Sequence, residues 1–463
     1  MWILSLMVIV FILGYAVIVF EHRNEIDKAA TAVLMGVILW TILSLFSDTI
    51  LSLGYSRTWA KYLLQNPGAT VEHMHDFVTR DALLHHLADI SSILFFLLGA
   101  MTIVETVDHF QGFQLITSKV KTTSRVRLIW IIGLLTFFMS AILDNLTTTI
   151  IMIALLRKLV AKKEDRWYIA GIIVIAANAG GAWSPIGDVT TIMLWIDGEI
   201  TSKGVITTLF IPSLISLLIP LLFSGLVMKG KVERPVIENG SDVIYVPFRE
   251  QLTVLLIGVF GLISVPVFKT YTHLPPFMGM LLALAAIWIF TDRRLRKVEE
   301  LDKRQFSVVR VLRKVDVSTI LFFLGILLAV DALQTAGQLH LLSEWLTEKF
   351  HNVFAINTSI GIISSIVDNV PLVAASMNMY EITPAAHATG YLAHFVVDGH
   401  FWQLLAYCAG TGGSMLIIGS AAGVAAMGME QINFFWYLKK IGWLAVIGYF
   451  AGIGAYAIFH VLL

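Results

Sequence analysis

A single charged residue, Asp144, lies in the middle of an apolar stretch that runs from Leu128 to Leu156. A carboxylate at the centre of such a segment is costly to bury, and within a membrane it marks an ion or substrate site. The surrounding sequence is Ser140-Ala-Ile-Leu-Asp144-Asn145-Leu-Thr147-Thr148-Thr149. A near copy follows later in the chain as Ser365-Ile-Val-Asp368-Asn369-Val-Pro371. Any fold of this chain must therefore accommodate two Asp-Asn pairs among apolar side chains.

The composition places these pairs in a membrane. Of the 463 residues, 57% are hydrophobic and only 14% are charged, whereas soluble domains carry roughly 25% charged residues. The charges are clustered between apolar runs that are long enough to cross a bilayer. A net charge of zero does not point to nucleic acid, and the single cysteine, Cys408, excludes an intramolecular disulfide. We expect an all-α polytopic membrane protein whose surroundings are the lipid bilayer.

Ten apolar runs predict full spans. The first is interpreted as a transmembrane helix and not a signal peptide, because it lacks a basic leading region and a cleavage site of small residues. The predicted spans lie near residues 2–20, 29–53, 82–104, 167–196, 205–228, 251–268, 276–291, 317–338, 401–428 and 441–462.

The flanking charges orient the two stretches that carry the Asp-Asn pairs. Basic clusters within 119–127 and 157–166 lie on both sides of stretch 128–156, so both of its ends are predicted to be cytoplasmic. Stretch 353–381 has mainly acidic flanks, so both of its ends are predicted to be external. Each stretch is therefore predicted to be a re-entrant hairpin with its Asp-Asn pair at the tip. The alternative is that each forms one long, tilted helix. The basic run 292–314 is predicted to be a cytoplasmic loop, and both termini are predicted to be external.

Landmarks recur in the same order in both halves of the chain. Leu94-Phe-Phe-Leu-Leu-Gly99 precedes Glu105, and Leu321-Phe-Phe-Leu-Gly325 precedes Asp331. An Asp-Asn pair follows in each half, and then a glycine-rich break, at 178–188 and at 410–420. The opposite predicted orientations make this an inverted repeat with two broken helices, an arrangement found in secondary transporters. The predicted parts are N-terminal scaffold helices 1–81, a first repeat 82–228, linking scaffold helices and a basic loop 229–316, and a second repeat 317–463.

The breaks and hairpin tips are rich in oxygen ligands, which suit hard cations such as Na⁺ or Li⁺. No Lys or Arg lies in these four segments, which favours a cation over an anion. Buried carboxylates also bind protons. Asp144 and Asp368 are predicted to share cation and proton, with Asp188 as a third acid; alternatively, one Asp of the pair only caps its turn. The predicted ion and proton ligands are Asp144, Asn145, Thr147, Asn178, Ser184, Asp188, Thr190, Asp368, Asn369, Thr411 and Ser414, with Na⁺ at Asp144, Asn145, Asp368 and Asn369.

Several further residues are weaker candidates for the same chemistry. Glu105 and Asp331 occupy symmetric helix ends, Ser364 lies one helical turn before Asp368, and His85 and His86 begin a span where they could sense pH. The segment with His73 and His75 is predicted to be a loop with solvated histidines. The complete secondary set is Glu105, Asp331, Ser364, Thr148, Thr191, His85 and His86.

These motifs resemble the NhaD-type sodium/proton antiporters of the ion transporter superfamily, which also contains dicarboxylate/sodium symporters and arsenite permeases. The resemblance is carried by residues 94–105, 144–149, 184–191 and 365–371. It implies a bacterial inner-membrane exchanger of Na⁺ or Li⁺ for H⁺. It also implies a homodimer with elevator-like transport domains and no cofactor. Asp-Asn replaces the Ser-Asn-Thr of the dicarboxylate relatives at both tips, which supports cation exchange. Val370-Pro371 departs from the threonine expected at the second tip.

Three other functions would use some of the same sequence features. An anion transporter for arsenite or dicarboxylates could use the same scaffold. An intramembrane aspartyl protease needs a Gly-x-Gly-Asp motif, which the sequence Pro185-Ile-Gly187-Asp188 does not provide. A channel would not require two hairpins of opposite entry. We therefore expect a secondary transporter and not an enzyme.

Overall fold

The computed structural model describes residues 2–19, 21, 25–235, 246–295 and 307–462. Across these residues the chain is helical, and its one β-bridge joins Ser124 to Lys231 without forming a strand. Within the same residues, nine helices are long and apolar enough to cross a membrane. The prediction of an all-α polytopic membrane protein is confirmed.

The main helices of the first half run from the N-terminal region to the first glycine-rich break and beyond it. They are α1 Trp2–Val19, α2 Lys28–Leu45, α3 Arg57–Gln65, α4 Leu83–His109, α5 Arg125–Leu143, α6 Asn145–Leu159, α7 Lys163–Ala182, α8 Val189–Asp197 and α9 Ser202–Val227.

The second half continues in the same manner. Its main helices are α10 Phe248–Thr272, α11 Pro276–Leu295, α12 Val317–Thr335, α13 Gln338–Phe350, α14 Val353–Ser364, α15 Asn369–Met379, α16 His400–Gly412, α17 Ala421–Glu430 and α18 Trp443–Ala457. Shorter helical segments are Ser47–Leu51, Val71–His73, Met74–Asp76, Phe77–Ala82, Gln114–Thr117, Val308–Leu312, Ala385–His387, Gly390–Phe395, Phe434–Tyr437, Leu438–Gly442 and Ile458–Leu462.

Eight of the ten predicted spans correspond to the long apolar helices, and the ninth such helix is α5. The other two predicted spans, 167–196 and 401–428, are each divided by a break, between α7 and α8 and between α16 and α17. One local prediction was wrong: His73 and His75 lie in a helical segment that continues into α4, so the third span begins at Val71. The central part of the predicted loop 292–314 lies outside the described residues.

Polar side chains begin several of the helices. Asp27 accepts a hydrogen bond from the Ala29 backbone N–H at the start of α2, and Asp316 accepts one from the Thr319 N–H at the start of α12. Thr201 does the same for Gly204 at the start of α9. Such caps satisfy N–H groups that have no partner within the helix.

The first hairpin consists of α5 and α6, which are joined at Asp144, and the start of α5 lies near the end of α6. The backbone N–H groups of Arg125, at the start of α5, and Ala161, just after α6, donate to the carbonyls of Gly230 and Glu233. The Arg125 guanidinium also lies 2.6 Å from a carboxylate oxygen of Asp165. Both ends of this stretch therefore lie together, as a hairpin requires.

The second hairpin consists of α14 and α15, joined by residues 365–368. Thr347, shortly before α14, and Tyr380, just after α15, line one cavity of about 740 Å³. The ends of this stretch also lie near each other. Its entry from the external side stays a prediction.

The chain divides into two compact units. The first comprises Met1–Phe95, Asp316–Ile356 and Val370–Val396, and the second comprises Phe96–Val315, Asn357–Asn369 and Val397–Leu463. In the first unit, α2 packs tightly on α12. A Cβ atom on Gly325 would lie 2.3 Å from the Val33 backbone nitrogen, so this approach requires glycine, as is common between membrane helices. The four-part division predicted from the sequence stays a prediction.

Candidate functional site

The second unit brings four interruptions of helix together. They are the tip of the first hairpin, the break between α7 and α8, the tip of the second hairpin and the break between α16 and α17. Asn145, Asp188 and Asn369 come from the first three, and Ser414 and Ser420 from the fourth; all five are buried. Backbone that leaves a helix within a membrane is tolerated where protein groups or a polar cavity satisfy it.

Glycines allow each hairpin to approach its break. A Cβ atom on Gly180 would lie 2.2 Å from the carbonyl oxygen of Phe137, on the first hairpin. A Cβ atom on Gly412 would lie 2.1 Å from the carbonyl oxygen of Gly361, on the second hairpin. These distances are too short for any side chain. The glycine-rich composition of both breaks therefore serves close backbone packing next to the polar cluster.

Asp188 is the centre of this cluster and is only 1% exposed. One carboxylate oxygen, Oδ1, accepts hydrogen bonds from the backbone N–H and the hydroxyl of Thr190, each at 3.0 Å. The other, Oδ2, accepts one from Asn145 Nδ2 at 2.7 Å. Asn369 Nδ2 lies 3.4 Å from both oxygens. The amides of the two hairpin tips thus converge on one carboxylate, and all of these donors are uncharged.

Asn178 extends the network to the second break. Its side-chain oxygen accepts a hydrogen bond from Asn145 at 3.1 Å, and its Nδ2 donates to the hydroxyls of Ser414 and Ser420, each at 2.9 Å. Asn178 is fully buried. It therefore connects the first hairpin tip to the break between α16 and α17.

Asp144 caps a helix, as Asp188 caps α8. Its Oδ1 accepts the Thr147 backbone N–H and its Oδ2 accepts the Thr147 hydroxyl, both at 2.8 Å, so it caps α6. Its φ of 83° and ψ of 157° lie in a region that is almost restricted to glycine. Such strain costs about 1–3 kcal/mol and is frequent at functional sites. Asp144 and Asp368 both interact electrostatically with Asp188, so the three predicted acids lie in one region.

Other predicted ligands secure the backbone. The Ser184 hydroxyl donates to the Ala141 carbonyl at 2.5 Å, and that of Thr411 donates to the Tyr407 carbonyl at 2.6 Å. The Ser364 hydroxyl donates to the Ala409 carbonyl at 3.0 Å, and Thr191 donates to the Asp188 carbonyl at 2.8 Å. Thr148 is buried, and its hydroxyl has no hydrogen-bond partner in the part of the chain that the structure describes.

The remaining secondary candidates make contacts of their own. Glu105 lies 3.7 Å from Lys314 in the second unit. In the first unit, Asp331 lies 3.5 Å from His86 and accepts a hydrogen bond from Asn378 at 3.0 Å. His85 is exposed beside Asp89.

Amides and hydroxyls predominate among the potential cation ligands. Within the described ranges, no three His, Cys, Asp or Glu side chains are grouped closely enough to hold a metal ion. The side-chain amides and hydroxyls near Asp188 carry oxygen atoms of the kind that hard cations accept as ligands.

Ser420 is the residue of this cluster that the sequence-based site did not include. It caps α17 through the Gly423 N–H at 3.2 Å and accepts from Asn178. The sequence does contain a signal for Ser420, because it occupies in the second break the position that Asp188 occupies in the first.

Comparison with known proteins shows the family of this chain. Residues 15–393 match the family described as citrate transporter, CitMHS. The chain is 44% identical to sodium/proton antiporter 1 of Arabidopsis thaliana over 98% of this chain and 72% of the relative. It is 30% identical to the Na⁺/H⁺ antiporter NhaD of Vibrio cholerae over 98% of this chain and 91% of the relative. The chain belongs to the CitMHS family and to the NhaD-type antiporters.

The similarity extends over nearly the whole of this chain. Sodium/proton antiporter 2 of Arabidopsis thaliana is 42% identical over 98% of this chain and 99% of the relative. All four helix interruptions therefore lie within the part of the chain that aligns with NhaD of Vibrio cholerae. The resemblance predicted from the motifs is confirmed.

Proposed function

We propose that this protein is a secondary antiporter that exchanges Na⁺ or Li⁺ for protons, with Asp188 as the carboxylate that holds either ion. The convergence of Asn145 and Asn369 on Asp188 is the observation that carries the proposal. It places one buried acid where both hairpin tips meet the first break. The antiporter names of its relatives support the same activity.

The charge of the cluster favours a cation. Every described hydrogen-bond donor to Asp188 is neutral, and no Lys, Arg or His forms an ion pair with it within the described residues. A buried carboxylate without a cationic partner attracts a cation or a proton. An anionic substrate would be repelled by Asp188 and by the nearby Asp144 and Asp368.

Competition for one carboxylate couples the two ions. When Asp188 holds a proton, its negative charge is neutralised and Na⁺ binds weakly. When Na⁺ binds, the proton is released. Asn145 and Asn369 carry a carbonyl oxygen beside the amide nitrogen, so the same side chains that stabilise Asp188 also offer oxygen ligands. Alternating exposure of such a site to the two sides of a membrane produces exchange.

The larger-scale features remain part of the proposal. Two hairpins and two broken helices are the elements from which alternating-access transporters are built. An elevator-type movement, a midplane position of the site, a homodimer and a bacterial inner-membrane location were expected from the resemblance, and we retain them as predictions. The relatives include plant proteins, so the location needs direct measurement.

Citrate or dicarboxylate transport is the second candidate, because the matched family is described as citrate transporter. Asp188 is an obstacle to this activity, since it places a buried negative charge between the two hairpin tips. Substrate uptake that is independent of pH and unaffected by Asp188→Asn would favour this candidate.

Everted vesicles from antiporter-deficient cells provide the test. A pH gradient is established, NaCl, LiCl or KCl is added, and its dissipation is followed from neutral to alkaline pH. We expect dissipation with Na⁺ or Li⁺ for the natural protein and none for Asp188→Asn at equal abundance. No response of the natural protein to any alkali cation would contradict the proposed function, and radiolabelled citrate uptake would then be measured.

A further inference from the structure

A second buried acid, Glu199, lies at the opposite end of α8 from Asp188. It belongs to the connection between α8 and α9 and is only 3% exposed. Its carboxylate oxygen Oε2 is buried and has no hydrogen-bond partner among the residues that the structure describes. Burying an ionised carboxylate without a partner costs free energy, whereas a protonated carboxyl carries no charge to bury.

Three charged groups face Glu199 from the surrounding elements. Asp197, the last residue of α8, is exposed, and its negative charge acts on Glu199. Lys269 on α10 donates to the Trp195 carbonyl, and its ammonium lies 4.7 Å from the centre of the Trp195 ring. The positive charge of Lys269 acts on Glu199 against the effect of burial, but the two side chains form no ion pair among the described residues.

Asp398 is the third charged group, and its contacts are with the backbone of Glu199 and with Thr201. Its backbone N–H donates to the Glu199 carbonyl at 2.8 Å. Its carboxylate accepts the Thr201 backbone N–H at 2.7 Å and the Thr201 hydroxyl at 2.6 Å. Asp398 therefore fixes the backbone around Glu199 and does not stabilise a charge on its side chain.

These surroundings favour the protonated acid. Burial raises the pKa of Glu199 to about 9, and the negative charge of Asp197 acts in the same direction. The proton is therefore held at neutral pH and released in the alkaline range. Since the folded state binds this proton more tightly than the unfolded state, stability decreases as the pH rises from the ordinary glutamate range to about 9.

We propose that the Glu199 carboxyl, with the charge of Asp197 near it, is a second proton-binding site, separate from the exchange site, whose occupancy is transmitted to Asp188 along α8. The helix begins at its cap, Asp188, and ends at Asp197, so the two sites share one short rigid element. Loss of the proton leaves a buried charge that loosens this end of α8. The proton site stands independently, and its effect on transport rests on the proposed function.

Infrared titration of the full-length protein in liposomes tests the proton site directly. We expect the C=O stretching band of a protonated carboxyl to disappear as the pH is raised through about 9. This component should be absent in Glu199→Gln and present in Glu164→Gln, whose substituted acid is exposed. Identical titrations of the natural protein and Glu199→Gln would overturn the proposal.

Thermal unfolding gives a second readout that does not depend on transport. The melting temperature of the natural protein should fall between neutral pH and about pH 9, and that of Glu199→Gln should fall less. Asp197→Asn should move the midpoint of this fall to lower pH, because it removes a neighbouring negative charge. Parallel curves for the natural protein and Glu199→Gln would overturn the proposal.

The transmission to Asp188 is measured separately, as the KM for Na⁺ in reconstituted vesicles. We expect a several-fold rise in KM for the natural protein above about pH 9 and a smaller rise for Glu199→Gln. An equal rise in both proteins would overturn the transmission. Absence of Na⁺ exchange in every protein, with the infrared difference intact, would contradict the proposed function and leave the proton site established.

Discussion

The two glycine-rich breaks have the same backbone packing but different side-chain chemistry. Gly180 lies against a carbonyl of the first hairpin, and Gly412 lies against the equivalent carbonyl of the second. Asp188 begins α8 in the first break, whereas Ser420 begins α17 in the second. The two breaks therefore pack alike against their hairpins, and of the two only the first carries a charge. Exchange chemistry is expected to depend on that asymmetry.

The largest effect is expected from removing the charge in the first break. Asp188→Asn keeps the size of the side chain but removes the carboxylate that we assign to Na⁺ and the proton. Loss of a ligand of this kind should lower Na⁺-dependent exchange by at least about 100-fold. The measurement is pH-gradient dissipation at matched protein abundance.

Ser420→Ala is the matched control for the second break. It removes two neutral hydrogen bonds, one from Asn178 and one from the Gly423 backbone N–H, each worth about 0.5–1.5 kcal/mol. Because no charge is lost, exchange should decrease by no more than about 10-fold. Equal losses in Ser420→Ala and Asp188→Asn would remove the distinction between the two breaks.

Exchanging the two capping residues tests whether the position of the charge matters. In the double variant Asp188→Ser with Ser420→Asp, the number of acids is unchanged, but the carboxylate moves to the second break. We expect exchange to stay as low as in Asp188→Ser alone, because Asn145 and Asn369 converge on the first break. Recovery of Na⁺-dependent exchange in the double variant would show that the two breaks are interchangeable.

Comparison with an ordinary helix cap tests whether Asp144 does more than cap α6. Asp316 makes the same pair of contacts, with the backbone N–H and hydroxyl of Thr319, at an exposed position. Asp144→Asn should reduce exchange by about 10-fold or more, because its charge acts on the same site. Asp316→Asn should leave exchange nearly unchanged. Similar small effects of both substitutions would restrict Asp144 to capping α6.

The two hairpin tips should differ in their contribution. Asn145 lies 2.7 Å from Asp188 and also bonds Asn178, whereas Asn369 lies 3.4 Å from both Asp188 oxygens. A hydrogen bond to a charged group is worth about 1.5–3 kcal/mol. Asn145→Ala should therefore raise the KM for Na⁺ by about 10-fold, and Asn369→Ala by less. A larger effect at Asn369 would reverse the assigned order of the tips.

Much of this arrangement could be predicted from the sequence because membranes restrict the possible folds. Isolated acids such as Asp144 and Asp368 and glycine-rich breaks are rare in apolar segments, so they indicated the hairpins and the broken helices. Which of the three acids lies at the centre of the site could not be predicted in the same way. Placing Asp188 between the two tips depends on how the hairpins pack, which residue spacing along one chain does not determine.

Two local features also could not be predicted from the apolar runs. The polar segment around His73 and His75 is helical because it continues directly into α4, a relation that hydropathy alone does not detect. Ser420 was missed because a serine at a helix cap has no unusual signal by itself. Its position in the repeat, opposite Asp188, identifies it once the two breaks are aligned.

Proton release on Na⁺ binding is the most direct test of a shared carboxylate at Asp188. Purified protein in a weakly buffered solution is titrated with NaCl, and the released protons are measured with a pH indicator. We predict release from the natural protein and from Ser420→Ala, and none from Asp188→Asn. Unchanged proton release from Asp188→Asn would contradict the assignment of both ions to this residue.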